Sequence, residues 1–122
     1  MNKAVIYISG TMNETVDNMV VRVIERYCEK HGYEIAALLG ESSQSGMSMP
    51  MKYSFIGMAE VEDIDTVVTL SSAMVGTTDD EIMETIDLLA HYGITVETEK
   101  EDMSAYYDAL GNEYNHATIK NA

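Results

Sequence analysis

Lys3-Ala-Val-Ile-Tyr-Ile-Ser9 is a short apolar run rich in β-branched residues, and Gly10 follows it. Such a run predicts a strand that is buried on both faces of a sheet. Apolar residues then recur at helical spacing from Val16 to Cys28, which predicts an amphipathic helix of about four turns. Asn13 or Thr15 can cap its start, and Gly32 ends it. The first two elements are therefore a strand and a helix.

The same alternation continues along the rest of the chain. Strands are predicted at 33–39, 66–70 and 94–97. Pro50 suits the first turn of a second helix at 50–59, and Thr78 with Glu81 fits a reciprocal capping box for a third helix at 78–92. A last helix is expected at about 102–115, which Asp102 can cap and which Gly111 and Asn112 break or end. The connections are loops at 40–48 and 71–77 and an acidic link at 60–63.

This element order predicts an α/β fold. Short apolar strands that alternate with amphipathic helices form parallel strands joined by right-handed crossovers. We therefore expect three layers: a mostly parallel sheet of about four strands with helices on both faces. The length of 122 residues suits one domain over residues 1–122, and no internal repeat or linker-like stretch divides it.

The charge of the chain excludes several classes of function. Lys and Arg number 7 against 21 Asp and Glu, so the net charge is −14. Nucleic-acid affinity comes largely from cations that replace counterions, so this charge argues against direct binding of DNA and of anionic membranes. Cys28 is the one cysteine, and neither a leader pattern nor an apolar run of membrane length is present. We expect a cytoplasmic protein.

Several short motifs, taken together, resemble the N-terminal catalytic domain of serine recombinases, the resolvase and invertase family. They are Ala4-Val-Ile-Tyr7 in the first strand, Tyr27 to Ile35 with its Gly32-Tyr33 pair, and Ser45-Gly46 after the acidic Glu41. Pro50, Asp65-Thr-Val-Val68 and Gly93-Ile-Thr-Val96 follow in the family's order. The resemblance covers about residues 3–98 and implies the resolvase-like fold.

The resemblance also implies where a catalytic site would lie. In this family a serine attacks a DNA phosphodiester and becomes covalently linked to it, and arginines stabilise the charge on the phosphate oxygens. The nucleophile position is Thr11 in this chain, and the positions of the arginines, the acid and the glutamine are neutral. The family-equivalent residues are Ser9, Thr11, Val20, Met49, Ala73, Met74 and Thr77.

These differences predict a catalytically inactive protein. Thr11 is the best candidate nucleophile, but a threonine hydroxyl without cations cannot stabilise the transition state. The predicted role is then protein–protein interaction or regulation, with a second copy or an active recombinase as partner. No DNA-binding domain is expected after residue 102. An active site-specific recombinase domain and a small-molecule binding module remain the alternatives, the latter at the strand carboxyl ends.

Other reactive residues receive structural interpretations. His31, His91 and His116 do not form a metal signature, and the first two lie next to helix-ending glycines. The acidic run 79–81 suits a first helical turn. Ser71 and Ser72 have no base beside them in sequence. No metal and no cofactor are expected.

Overall fold

The computed structural model describes residues 2–10, 13–43 and 45–111. A central strand opens the chain, and helices and strands alternate after it. In chain order the elements are β1 (Lys3–Ser9), α1 (Glu14–Lys30), β2 (Glu34–Glu41), α2 (Met49–Glu62), β3 (Thr66–Thr69), a 3-10 turn (Ser72–Met74), α3 (Asp79–Ala90), β4 (Thr95–Thr98) and α4 (residues 104–111).

Among the described residues, the four strands form one sheet in the order β2-β1-β3-β4. Every neighbouring pair is parallel, and the pairing of β1 with β2 shifts register between Ala4 and Val5. Parallel neighbours require crossover connections, and the helices supply them. The predicted α/β fold class is confirmed.

The side chains of β1 divide the core into two layers. Ala4 and Ile6 belong to a cluster with Ile24 and Cys28 of α1. Alternate residues such as Val5 and Tyr7 belong to a larger cluster on the opposite face, built with α2, α3 and α4. Period-2 alternation therefore gives each face its own helices, as expected for a sheet covered on both sides.

The thiol of Cys28 is part of the α1 layer. The residue is fully buried, and this burial raises the pKa of the thiol to about 11, with help from the nearby Glu97 and Glu25 carboxylates. A thiol with a raised pKa is a poor nucleophile at neutral pH. Cys28 is a core residue.

The N-caps of α1 and α3 are formed by residues that the sequence predicted, with one difference in the partners of Glu81. The Asn13 side chain accepts the Val16 N–H at 3.1 Å and starts α1. Thr78 accepts the Glu81 N–H at 3.1 Å, and the main-chain N–H of Thr78 contributes in turn to the lowered pKa of the Glu81 carboxylate. The largest contributions come from Thr77, whose N–H and hydroxyl donate to this carboxylate at 2.8 and 2.6 Å. The difference from the predicted capping box is therefore that Thr77, and not Thr78 alone, serves the Glu81 carboxylate.

Several boundaries also differ from those predicted. Strand β2 runs two residues into the expected loop, since Glu41 still pairs with Ser9. The expected link at 60–63 is mostly helical, because α2 ends only where Asp63 adopts a left-handed conformation with φ of 60°. The 3-10 turn lies within the expected loop 71–77. Strand β4 begins at Thr95, since the Ile94 N–H still bonds to Leu89 at the end of α3.

The last helix follows Asp102, whose carboxylate accepts the N–H and the hydroxyl of Ser104 at 2.9 and 2.6 Å. Gly111 is still helical, so it does not break this helix. The remainder of the expected helix, from 112 to 115, lies outside the described residues. None of the helices in the described part of the chain has the length and apolar character needed to cross a lipid bilayer.

Candidate functional site

The carboxyl ends of β1 and β2 are tied together by short hydrogen bonds. The Ser9 hydroxyl donates to the main-chain oxygen of Ser43 at 2.6 Å. The Gly10 N–H donates to the main-chain oxygen of Glu41, also at 2.6 Å. Ser9 therefore uses its hydroxyl to hold the loop after β2. Thr11, the candidate nucleophile, lies outside the described residues.

Glu41 organises this edge of the sheet. Its carboxylate accepts the hydroxyl of the buried Tyr7 at 2.6 Å and the N–H of Ser48 at 2.9 Å. Ser48 is also the N-cap of α2, where its side chain accepts the Met51 N–H. One carboxylate thus connects β1 to the start of α2.

Hydrogen bonds and a nearby cation stabilise the ionised form of the Glu41 carboxylate. Burial opposes its ionisation, but hydrogen bonds from Ser48 and Tyr7, with the charge of Lys52, lower its pKa on balance. For Tyr7 the shift has the opposite sign, because burial and the bond to Glu41 both raise the pKa of the phenol. A negative charge therefore sits at the carboxyl edge at neutral pH.

The loop after β2 touches the loop after β3 at a pair of glycines. A Cβ on Gly46 would lie 2.8 Å from Gly76 Cα and 2.9 Å from the Val75 oxygen, and Gly46 has a φ of +84°. The Met47 N–H donates to the same Val75 oxygen at 3.2 Å. Only a residue without a side chain allows this approach.

Two more family-equivalent positions lie on helices. Met49 is the first residue of α2 and is 47% exposed. Val20 is half-buried on α1, where it packs against the cluster that contains Ile6 and Ile24. Neither side chain carries a polar group that could contact a phosphate.

The positions after β3 are likewise neutral. Ala73 is exposed on the 3-10 turn, and the sulfur of Met74 accepts the Thr69 hydroxyl at 3.1 Å. Thr77 is committed to Glu81 through both of its donors. With Ser72, Tyr106 and other residues, Ala73 and Thr77 line a cavity of about 460 Å³.

Within residues 2–10, 13–43 and 45–111, the cations of the chain lie mostly away from the carboxyl edge of β1 and β2. Its two arginines, Arg22 and Arg26, are exposed side chains on α1. Lys52 acts on the carboxyl edge, since its charge adds to the hydrogen bonds from Thr77 that lower the pKa of Glu81, as it does for Glu41. Within the described residues, no group of three His, Cys, Asp or Glu side chains is arranged to hold a metal ion.

A second carboxylate, which sequence reasoning did not single out, lies on the α1 face of β4. Glu97 accepts the hydroxyl of Tyr27 at 2.6 Å and that of Tyr33 at 2.7 Å. The His31 ring stacks on Tyr27 with a centroid distance of 4.2 Å. Burial, followed by the bond to Glu97, raises the pKa of Tyr33 to about 12. We call Tyr27, His31, Tyr33 and Glu97 the aromatic cluster.

The alternation of β4 contained a signal for this cluster. Val96 belongs to the core on the α2 and α3 face, so Glu97 must project to the other face, where α1 lies. The partners of Glu97 are 64 and 70 residues away in sequence, and only the sheet order brings them together.

Comparisons with solved structures match this arrangement of elements. The N-terminal catalytic domain of TP901-1 integrase superposes with a TM-score of 0.68 at 14% identity, over 98% of each chain. A resolvase family site-specific recombinase from Streptococcus pneumoniae gives a TM-score of 0.66 at 11% identity, over 99% of this chain and 93% of that one. The chain has the fold of serine recombinase catalytic domains.

A third structure with the recombinase fold is the C-terminal catalytic domain of ISC1926 TnpA, an IS607-like serine recombinase. It gives a TM-score of 0.66 at 15% identity, over 88% of this chain and 77% of that one. No family model matches the sequence, and no curated protein matches it significantly. The recombinase fold is therefore supported by structural similarity, at sequence identities too low to transfer an activity.

Proposed function

We propose that this protein is a catalytically silent domain with the recombinase fold, and that it acts by contacting other proteins. Such contacts would be made with a second copy or with an active recombinase. The proposal depends above all on the charge at the carboxyl edge of the sheet. Strand transfer at a phosphodiester needs cations around the phosphorus, and the family-equivalent positions at this edge are neutral, while the charge of Lys52 acts on the carboxylates of Glu41 and Glu81.

The neutral residues have further consequences for catalysis. The resemblance places the family's arginines at Ser9, Met49, Met74 and Thr77, none of which can carry a positive charge. Loss of one preorganised charge-stabilising group costs about 10²–10³ in rate. The combined losses leave Thr11 without the electrostatic support that a hydroxyl nucleophile requires.

The surface charge favours protein partners over DNA. A net charge of −14 opposes association with a phosphate backbone, since such binding depends on the release of counterions by cations. The same charge favours encounter with a basic protein surface. The DNA-binding surface of an active recombinase is basic on these grounds and is a suitable partner.

The proposed lack of catalytic activity is tested by attempts to trap a covalent protein–DNA adduct. The chain is incubated with nicked duplex DNA from its own genomic neighbourhood, and covalent protein–DNA adducts are resolved on a denaturing gel. We expect no adduct from the wild-type chain or from the Thr11→Ser variant. An adduct that forms with wild type and disappears in Thr11→Ala would overturn the proposal and establish the alternative, an active recombinase domain.

The proposed contact with other proteins needs a separate measurement. Light scattering coupled to size-exclusion chromatography reports the mass of the chain alone and after mixing with a serine recombinase from the same genome. We expect a mass above that of the monomer in one of the two samples. The proposed contact would be contradicted if the chain stays monomeric in both samples and leaves the strand-exchange rate of the recombinase unchanged.

A further inference from the structure

The free edge of β4 forms the floor of a cleft. Its volume is about 620 Å³, and its walls are the end of α1 on one side and the start of α4 on the other. The outer edge of β4 has no neighbouring strand within residues 2–10, 13–43 and 45–111. This cleft is distinct from the carboxyl edge of β1 and β2 that Glu41 organises.

The lining of the cleft is strongly acidic. Its lining side chains include one lysine, Lys100, and one histidine, His31, against five carboxylates: Glu97, Glu99, Glu101, Asp102 and Asp108. Three of these already accept hydrogen bonds from tyrosine or serine residues. Glu99 and Asp108 have no hydrogen-bond or ion-pair partner among the described residues. Arg26 and Lys30 border the α1 side, and the surroundings stay net negative when they are included.

Aromatic rings provide the second feature of the cleft. Tyr27 and His31 line it as a stacked pair, and the hydroxyl of Tyr27 is fixed by Glu97. Both rings line the cleft, so a cation bound there can contact an aromatic ring, and such an attraction reaches about 0.5–2 kcal/mol. Carboxylates that lie beside an aromatic face suit a cation with a flat, delocalised charge.

We propose that this cleft binds an arginine side chain of a partner protein. The inference rests on the proposed function, since it gives the protein–protein contact a location and a chemistry. A guanidinium group can stack on the Tyr27–His31 pair and donate in a fork to a carboxylate such as Glu99, which an ammonium group cannot do. Arginine is therefore preferred over lysine.

Two observations define the occupant further. The Tyr107 hydroxyl accepts the Val96 N–H at 2.7 Å, which closes the centre of the β4 edge to an added strand. Recognition therefore proceeds through side chains. For this cleft a basic partner surface is a better occupant than a second copy of this acidic chain, because the lining of the cleft is itself net negative.

Fluorescence anisotropy with labelled peptides tests the inference. The probes are glycine-spaced pentapeptides that carry two arginines, two lysines or two citrullines. We expect the arginine peptide to bind at least about tenfold more tightly than the citrulline peptide, since charge-assisted hydrogen bonds are lost with the charge. Equal binding of all three peptides would overturn the proposal.

Matched variants separate the cleft from the general acidity of the chain. The Glu99→Gln/Asp108→Asn double variant is expected to weaken arginine-peptide binding about fivefold. Glu60→Gln/Glu84→Gln removes the same charge from exposed positions on α2 and α3, and it should leave binding within about twofold, since distant surface charges are screened. If both double variants weaken binding equally, the effect is nonspecific and the proposed site is wrong.

The contribution of the Tyr27 ring is measured by the preference for the arginine peptide over the lysine peptide. Tyr27→Leu should remove the preference for arginine over lysine, whereas Tyr27→Phe keeps the ring and should keep the preference. Circular dichroism checks that both variants fold. A preference that survives Tyr27→Leu contradicts the stacking.

The remaining outcomes distinguish this inference from the proposed function. Free arginine amide or spermidine that binds as tightly as the peptide would replace the protein partner with a small cation. A dimer that the Glu99→Gln/Asp108→Asn variant abolishes would make a second copy the occupant. A complex with a recombinase that forms normally in this double variant would overturn the cleft as the contact site and leave the proposed function intact.

Discussion

Glu41 and Glu97 are carboxylates of the same sheet that accept tyrosine hydroxyls, yet their surroundings differ. Glu41 is bonded to the buried Tyr7 and to a main-chain N–H, so its charge is used to hold β1, the following loop and α2 together. Glu97 is bonded to Tyr27 and Tyr33 at the border of an open cleft.

The comparison shows how one kind of contact serves two purposes. At the Glu41 edge one partner, Tyr7, is fully buried, and we expect the contact to act on stability. At the Glu97 edge, Glu99 and Asp108 have no partner in the part of the chain that the structure describes, and this is the edge where we propose that a partner binds. Substitutions at the two edges should therefore differ in what they change, and the expected stability effects below run from large to small.

The largest loss of stability is expected where the loops of the Glu41 edge meet. Gly46→Ala places a Cβ against the backbone of Gly76 at a positive φ, so it should lower the free energy of unfolding by at least about 2 kcal/mol. Urea denaturation at pH 7 measures the change. Gly57→Ala is the control, since a Cβ there meets no atom within 4 Å on a helix and should raise stability by up to about 1 kcal/mol. Equal effects of the two variants would contradict the close contact.

A smaller difference is expected between the tyrosines of the two edges. Tyr7→Phe leaves Glu41 without its buried donor and should cost about 1–2 kcal/mol in the free energy of unfolding. Tyr33→Phe should cost less, about 0.5 kcal/mol, because Tyr27 still donates to Glu97. The same urea titrations measure both variants. A larger loss for Tyr33→Phe would reverse the proposed division between a structural and a binding edge.

The smallest expected effect is a pH dependence specific to Glu41. Its pKa in the folded state lies below the ordinary value of 4.5, so its charge stabilises the fold above that value. This stabilisation is lost as the pH falls through the folded-state pKa. The stability difference between wild type and Glu41→Gln should therefore be constant from pH 7 to about 5.5 and shrink below about 4.5. Denaturation at pH 7, 5 and 3.5 measures the difference, and Glu84→Gln controls for general charge effects. A difference that grows toward low pH would contradict the assigned hydrogen bonds.

The fold was predictable because its signals are local. The apolar run of β1, the helical spacing of α1 and the caps at Asn13 and Thr78 each depend on residues within a few positions. Boundaries were less accurate where a distant partner extends an element. Strand β2 continues to Glu41 because Ser9 pairs with it, and the sequence around Glu41 contains only the loop signal.

The candidate site was predictable only in part. The resemblance located the family-equivalent positions, and the residue types at those positions showed that they carry no charge. The bond from Tyr7 to Glu41 and the bonds from Tyr27 and Tyr33 to Glu97 were missed, since each joins residues 34 or more positions apart. Lys52 was also missed as the cation acting on the carboxyl edge, because its position on α2 gives no indication of which loop it faces.

The sequence by itself determined the alternation of strands and helices, the burial of β1 and the acidity of the whole chain. These properties follow from local spacing and composition, which a single chain displays in full. Only the tertiary structure decided that Glu41 bonds to the buried Tyr7 and that Glu97 borders a cleft. The physical reason is that the surroundings of a charge depend on which strands are neighbours, and the order β2-β1-β3-β4 brings together side chains that are remote in sequence.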